Sequence, residues 1–175
     1  MRRLVTVALA TTAVIIMASV AVVSQYEDSK PVAQVSTAET ETERPQLPTR
    51  EELLRLVNKE RRKVGVSPLT TDETLNRSAQ WKAEDMERRD YFGHEDPDTG
   101  RKNGLDYLNK IGNRCLYISE NLVDMEIERD TTAYYAITAF KNSEKHYRAM
   151  IDAKYDTTGF GIYDTTIVQH FCDLG

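Results

Sequence analysis

The chain has 175 residues, enough for one domain and too few for two comfortable ones. Hydrophobic residues at 40% and charged residues at 29% are ordinary for a soluble fold and give no argument for overall disorder. The formal charge of −5, spread thinly along the chain, gives it no electrostatic reason to bind nucleic acid, whose recognition rests on clustered Lys and Arg.

The N-terminus is the first informative segment. Arg2 and Arg3 precede an uncharged apolar run from Leu4 to Val23. Twenty helical residues span about 30 Å, the thickness of a bilayer's hydrocarbon core. Basic residues before the run favour an N-terminus left inside and a C-terminus exported. Residues 1–23 are therefore expected to be a signal anchor or a signal peptide. Ser19 and Ala21 are small enough for a cleavage site, while the run is longer than an ordinary signal peptide core. No Cys follows the run, so a lipoprotein-type attachment at that point is excluded. Either reading places the rest of the chain outside the cytoplasm, with the membrane a partner through residues 4–23.

Residues 24–48 are rich in Ser, Thr, Glu, Gln and Pro and nearly devoid of large apolar side chains. Such a stretch buries too little surface to offset its ordering entropy, so a disordered polar linker is expected there. The folded domain then occupies residues 49–175. Thr49-Arg50-Glu51-Glu52 has the form of a capping box, and Leu53, Leu54, Leu56 and Val57 follow at helical spacing. A helix over about 50–64 is predicted, with Gly65 able to end it. Val66 to Leu69 reads as an extended connection, and Thr70, Thr71 and Asp72 offer caps for a second helix. Leu75, Ala79, Ala83 and Met86 form one face of that helix, which should stop near Asp90.

Residues 95–103 carry Pro97, Gly100 and several Asp, Thr and Asn residues and read as loop. Leu105, Leu108 and Ile111 suggest a short helix ended by Gly112, Leu116 to Val123 a strand, and Thr131 to Lys141 another helix. A further short helix is expected from His146 to Ile151. Thr157 to Tyr163 and Thr166 to Cys172 are β-branched and aromatic around a tight Asp164-Thr165 turn, which predicts an antiparallel hairpin. The plan is α+β, with helices covering a small antiparallel sheet. Cys115 and Cys172 are a lone pair, and in an oxidising compartment such a pair often forms a disulfide.

The sequence has three histidines, His94, His146 and His170, and none lies in a local metal motif. Spacing alone does not bring His94, His146 and the intervening Glu120 together. His170 shares a strand face with Val168 and Cys172, the setting of a satisfied structural group rather than a ligand.

The order of segments resembles the CAP superfamily, also called SCP: the cysteine-rich secretory, antigen 5 and pathogenesis-related 1 proteins. The resemblance starts at Leu56-Val57-Asn58 with Arg61, Gly65 and Ser67-Pro68-Leu69. It runs through Leu75, Ala79, Ala83 and Glu84-Asp85-Met86 into Tyr91-Phe92-Gly93-His94. It continues with Ser119-Glu120-Asn121-Leu122, Asn142-Ser143 with His146, Thr158 to Ile162, and Val168-Gln169-His170-Phe171.

The resemblance implies an α-β-α sandwich and a central cleft lined by two His and two acidic residues that can hold a divalent metal such as zinc. By position His94 and His146 are the histidines and candidate metal ligands, and Glu120 is one acid. The second acid has no counterpart on the helix before Asn142, the usual Trp is Phe140-Lys141, and the usual Gly is Ser119. The resemblance favours a non-catalytic extracytoplasmic binding module for a lipid, cell-wall or protein ligand. The alternatives are a metal-dependent hydrolase of peptides or other polymers, with Glu120 as general base, and a purely adhesive domain on a stalk.

Overall fold

The first helix, α1 (Arg50–Lys63), begins where the capping box predicts. The Thr49 side chain accepts the Glu52 N–H at 3.2 Å and Glu52 Oε2 accepts the Thr49 N–H at 2.9 Å. At its end Gly65 adopts φ +74, and the Val66 N–H reaches back to Arg61 C=O while that of Gly65 reaches Arg62 C=O. This closes the helix with a glycine in the left-handed region, a cost only glycine avoids. The computed structural model describes residues 46–125 and 132–175. The apolar run at 4–23 and the linker up to residue 45 lie outside the described residues.

The remaining elements are β1 (Thr70–Thr71), α2 (Glu73–Arg88), α3 (Asn103–Gly112), β2 (Tyr117–Asp124), α4 (Ala133–Asn142), α5 (Glu144–Ile151), β3 (Thr157–Tyr163) and β4 (Thr166–Asp173). The sheet order is β1-β3-β4-β2. The β3–β4 hairpin and the β2–β4 pair are antiparallel as expected. One detail differs. Of the three capping candidates before α2 only Asp72 caps the helix, accepting the Leu75 N–H, while Thr70 and Thr71 form a two-residue strand parallel to β3.

Side chains alternate across the sheet, so each strand feeds two cores. Phe160, Ile167 and Phe171 pack with Leu53 and Val57 of α1, Ala136, Ile137 and Phe140 of α4 and Met150 of α5. On the other face Leu122 and Val168 meet Ala79, Ala83 and Met86 of α2, and Cys172 meets Leu75 and Leu108. The result is the α-β-α sandwich, with α1, α4 and α5 on one side and α2 and α3 on the other.

Two glycines set the distance between α2 and β3. A Cβ on Gly159 would lie 2.3 Å from the Asn76 nitrogen, and one on Gly161 would lie 2.1 Å from the Ala79 carbonyl carbon. The helix therefore lies directly on the strand backbone, and Asn76 Oδ1 accepts the Phe160 N–H at 2.9 Å. Arg61 performs a similar role on the opposite side. Fully buried, its guanidinium donates to the carbonyls of Ser67, Met150, Asp152 and Tyr155 at 2.7–3.0 Å, tying α1 to the chain after α5. Cys115 and Cys172 form a disulfide with Cα atoms 5.3 Å apart, which fastens the segment before β2 to the last strand.

Candidate functional site

The site begins with strand pairing. In the β2–β4 register Glu120 stands opposite His170, so both side chains leave the sheet on the α2–α3 side. His170 Nε2 lies 2.8 Å from Glu120 Oε2, and Ser78 Oγ of α2 lies 2.7 Å from His170 Nδ1. His170 is fully buried with both ring nitrogens partnered, the satisfied state expected for a histidine on an apolar strand face.

The other carboxylate oxygen serves a different histidine. His94, in the loop after α2, places Nδ1 2.8 Å from Glu120 Oε1. An ionised carboxylate only accepts, so His94 carries its proton on Nδ1 and leaves Nε2 free. The side chain of His94 is 44% exposed and that of Glu120 only 5%. Burial alone raises a carboxyl's pKa, but hydrogen bonds from His170 and His94 and the nearby Lys82 charge outweigh it and hold Glu120 at about 2.

Lys82 is the cation behind this carboxylate. Fully buried in α2, it donates to Asn103 Oδ1 at 2.7 Å and to the Tyr91 hydroxyl at 3.1 Å. Asp85 Oδ2 accepts from Tyr91 and from the Asn103 amide, both at 2.8 Å, completing a buried network beneath the 91–103 loop. Burial lowers the Lys82 pKa, and Glu120 and Asp85 pull it back up. Gly104 fits between the two systems: a Cβ there would lie 2.8 Å from Glu120 Oε2 and 3.2 Å from Lys82 Cβ.

His146 comes from the other layer. It sits on α5, and its backbone carbonyl accepts from the Asn121 side chain at 3.0 Å, which ties the helix to β2. Its ring meets Phe140 edge-on at a centroid distance of 5.5 Å. Phe140, fully buried, thus backs the His146 ring from the core. Burial, then the neighbouring His94, lower the His146 pKa and favour its neutral ring. His94 and His146 face each other at 6.4 Å between centroids.

The three sequence candidates therefore line one cleft of about 220 Å³, together with Lys102, Leu105, Ile118, Ser119, Asn121 and Lys145. The cleft straddles the open edge of β2, with His94 on one side and His146 on the other. The sequence reading missed the contribution of His170, Ser78 and Lys82 to holding Glu120. For His170 the signal was its position on the same strand face as Cys172; for Lys82 it was a lysine one residue before Ala83 on a buried helix.

The donor set decides what metal the residues fit. Both oxygens of Glu120 are engaged, so the available ligands are the His94 and His146 imidazoles. Among the described residues no group of three or more His, Cys, Asp or Glu is placed to hold an ion. Structural zinc sites use four protein ligands and catalytic ones three. Two imidazoles fall short of either number, and Glu120 stands behind His94 as the carboxylate that orients its ring.

The family model of the cysteine-rich secretory protein family, CAP, matches residues 54–171. The chain belongs to this family. Among curated proteins, the uncharacterized Bacillus subtilis (strain 168) protein YkwD is 29% identical over 147 residues, 83% of this chain and 55% of that protein. The chain thus spans about half the length of this relative.

Two solved structures share the fold. An extracellular SCP-domain protein from Bacillus anthracis superposes with a TM-score of 0.61 at 24% identity, over 70% of this chain and 39% of that one. An outer surface protein from Borrelia burgdorferi gives 0.60 at 21%, over 70% and 90%.

Proposed function

We propose that this CAP protein is an extracytoplasmic binding module that holds a lipid, cell-wall or protein ligand in the His94–Glu120–His146 cleft and releases it unchanged. The observation that carries this reading is the commitment of Glu120. Its two oxygens anchor His94 and His170, and its carboxyl is held at about 2, so it is a poor proton acceptor at neutral pH. The cysteines are paired, which removes the thiol as a nucleophile. Export is supported by the disulfide, by the apolar run behind Arg2 and Arg3, and by the extracellular and outer-surface settings named for the structural relatives.

A divalent metal such as zinc would be held by His94 and His146, where it would supply a Lewis acid for a ligand oxygen. The polar half of the cleft does not depend on it: His94 is oriented by Glu120, and Lys102 and Lys145 stand at the rim.

One observation favours the second reading, a metal-dependent hydrolase of peptides or other polymers. A carboxylate on Nδ1 that leaves Nε2 free is the arrangement by which imidazoles become general bases. The two readings separate on turnover. Full-length protein is incubated with labelled peptides, peptidoglycan fragments and phospholipid vesicles, with and without zinc. Retention with all substrates recovered intact is the expected result. Zinc-dependent cleavage that disappears in His94→Ala overturns it in favour of the hydrolase.

A further inference from the structure

The sheet ends on β2, and its outer edge is where the cleft lies. The direction of its backbone groups follows from one hydrogen bond. The Met125 N–H donates to Thr165 C=O at 2.8 Å, and these residues continue the register that pairs Asp124 with Thr166. In an antiparallel pair, hydrogen-bonded and non-hydrogen-bonded positions alternate. Odd-numbered residues of β2 therefore bond to β4, while Ile118 and Glu120 turn their N–H and C=O groups to the open edge.

Among the described residues no hydrogen bond occupies those four groups. The cleft opens onto them, lined by Ile118 to Asn121. Open edges are positions where an added strand gains main-chain hydrogen bonds. Ile118 and Glu120 are about 7 Å apart along the strand, the repeat at which an added strand presents its own alternate groups.

Charge narrows the occupant. Among the described residues Glu120 is the one carboxylate lining the cleft, and it is compensated by His94, His170 and Lys82. Lys102 and Lys145 are exposed, and no carboxylate among the described residues lies within 4 Å of either ammonium. One lysine stands on the α3 side of the edge and the other on the α5 side. Successive side chains of an extended peptide point to opposite faces, so two consecutive acidic residues would meet one lysine each.

We propose that the cleft takes an extended acidic peptide segment, added as a strand to the outer edge of β2 through Ile118 and Glu120, with consecutive carboxylates paired to Lys102 and Lys145. The inference rests on the binding-module reading and narrows its ligand from three classes to protein. Backbone pairing gives affinity, the two lysines choose acidic sequence, and half-buried Leu105 and Ile118 offer an apolar neighbour.

Hydrogen exchange of the full chain, read by mass spectrometry at single-amide resolution, tests this with the blocked peptide acetyl-Val-Asp-Glu-Val-amide at millimolar concentration. The expected result is slowing of the Ile118 and Glu120 amides by about tenfold or more. The analogue N-methylated at alternate residues should give no slowing. The double variant Lys102→Glu, Lys145→Glu should weaken binding by about tenfold or more at unchanged Tm.

Unchanged exchange at both amides overturns the inference, as does equal binding of the N-methylated peptide. Full competition by inorganic phosphate would reveal an anion site without strand addition and also overturns it. The mass of the recovered peptide separates this inference from the reading it rests on. A protected but cleaved peptide supports the strand-edge site and overturns the non-catalytic reading.

Discussion

Glu120 and His170 face each other across β2 and β4 with 2.8 Å between carboxylate and imidazole, and neither is free to move without the other. His170 is held behind by Ser78, and Glu120 is held in front by His94. An exposed ring at the cleft is thus connected through two buried groups to the middle of α2. The order of this chain explains why the carboxylate serves as an anchor: the solvent-facing atom is on His94, not on Glu120.

Glu120 titration sets an acid limit on stability. Its folded pKa of about 2 lies below the ordinary 4.5, so its contribution is fully present above about pH 4.5 and is lost as pH falls toward 2. The size is on the order of 3 kcal/mol, since one pKa unit is about 1.4 kcal/mol. Thermal melts from pH 6 to pH 2 should show a steeper loss for the wild type than for Glu120→Gln.

The two histidines on Glu120 differ in cost. His170→Ala leaves a buried Glu120 carboxylate oxygen without its imidazole partner, while the Ser78 hydroxyl keeps its bond to Leu75 C=O, and should destabilise by about 2–4 kcal/mol. His94→Ala removes a half-exposed ring and should cost about 1 kcal/mol or less. Urea denaturation of both variants checks the order.

Gly161→Ala should be the more damaging of two small changes. Its Cβ would meet the backbone of Ala79 and Gln80 at 2.1–2.3 Å, where no side chain can swing away. A loss of about 3 kcal/mol or more is expected. Gly93→Ala, with nothing within 4 Å of its Cβ, should leave Tm nearly unchanged.

Zinc addition should reveal a two-imidazole site. Calorimetry on the full chain should show one weakly bound ion, lost in the His94→Ala, His146→Ala double variant and kept in His170→Ala wherever that variant is folded. Binding retained in the double variant would place the ion elsewhere.

Much of the fold was legible because each element carries a local signal. The capping box at Thr49, the apolar stripe of α2 and the β-branched hairpin around Asp164-Thr165 are all readable within a dozen residues. β1 was not, because two threonines become a strand only when β3 arrives from 87 residues later in the parallel register Thr70↔Thr157. The site divides the same way. His94, Glu120 and His146 were reached through motif order, whereas His170 and Lys82 joined them only through strand register and helix packing. Ser78 gave no signal at all, being one serine on a helix whose partner lies 92 residues away.

The most direct test of the account is the tautomer of His94, read at pH 8 from ring-nitrogen NMR of the full chain. If Glu120 anchors this ring, His94 is protonated on Nδ1 in the wild type, and Glu120→Gln shifts it toward the Nε2–H form. A His94 ring protonated on Nε2 in the wild type, and indifferent to Glu120→Gln, would contradict the account: the carboxylate would then be free to act as a base.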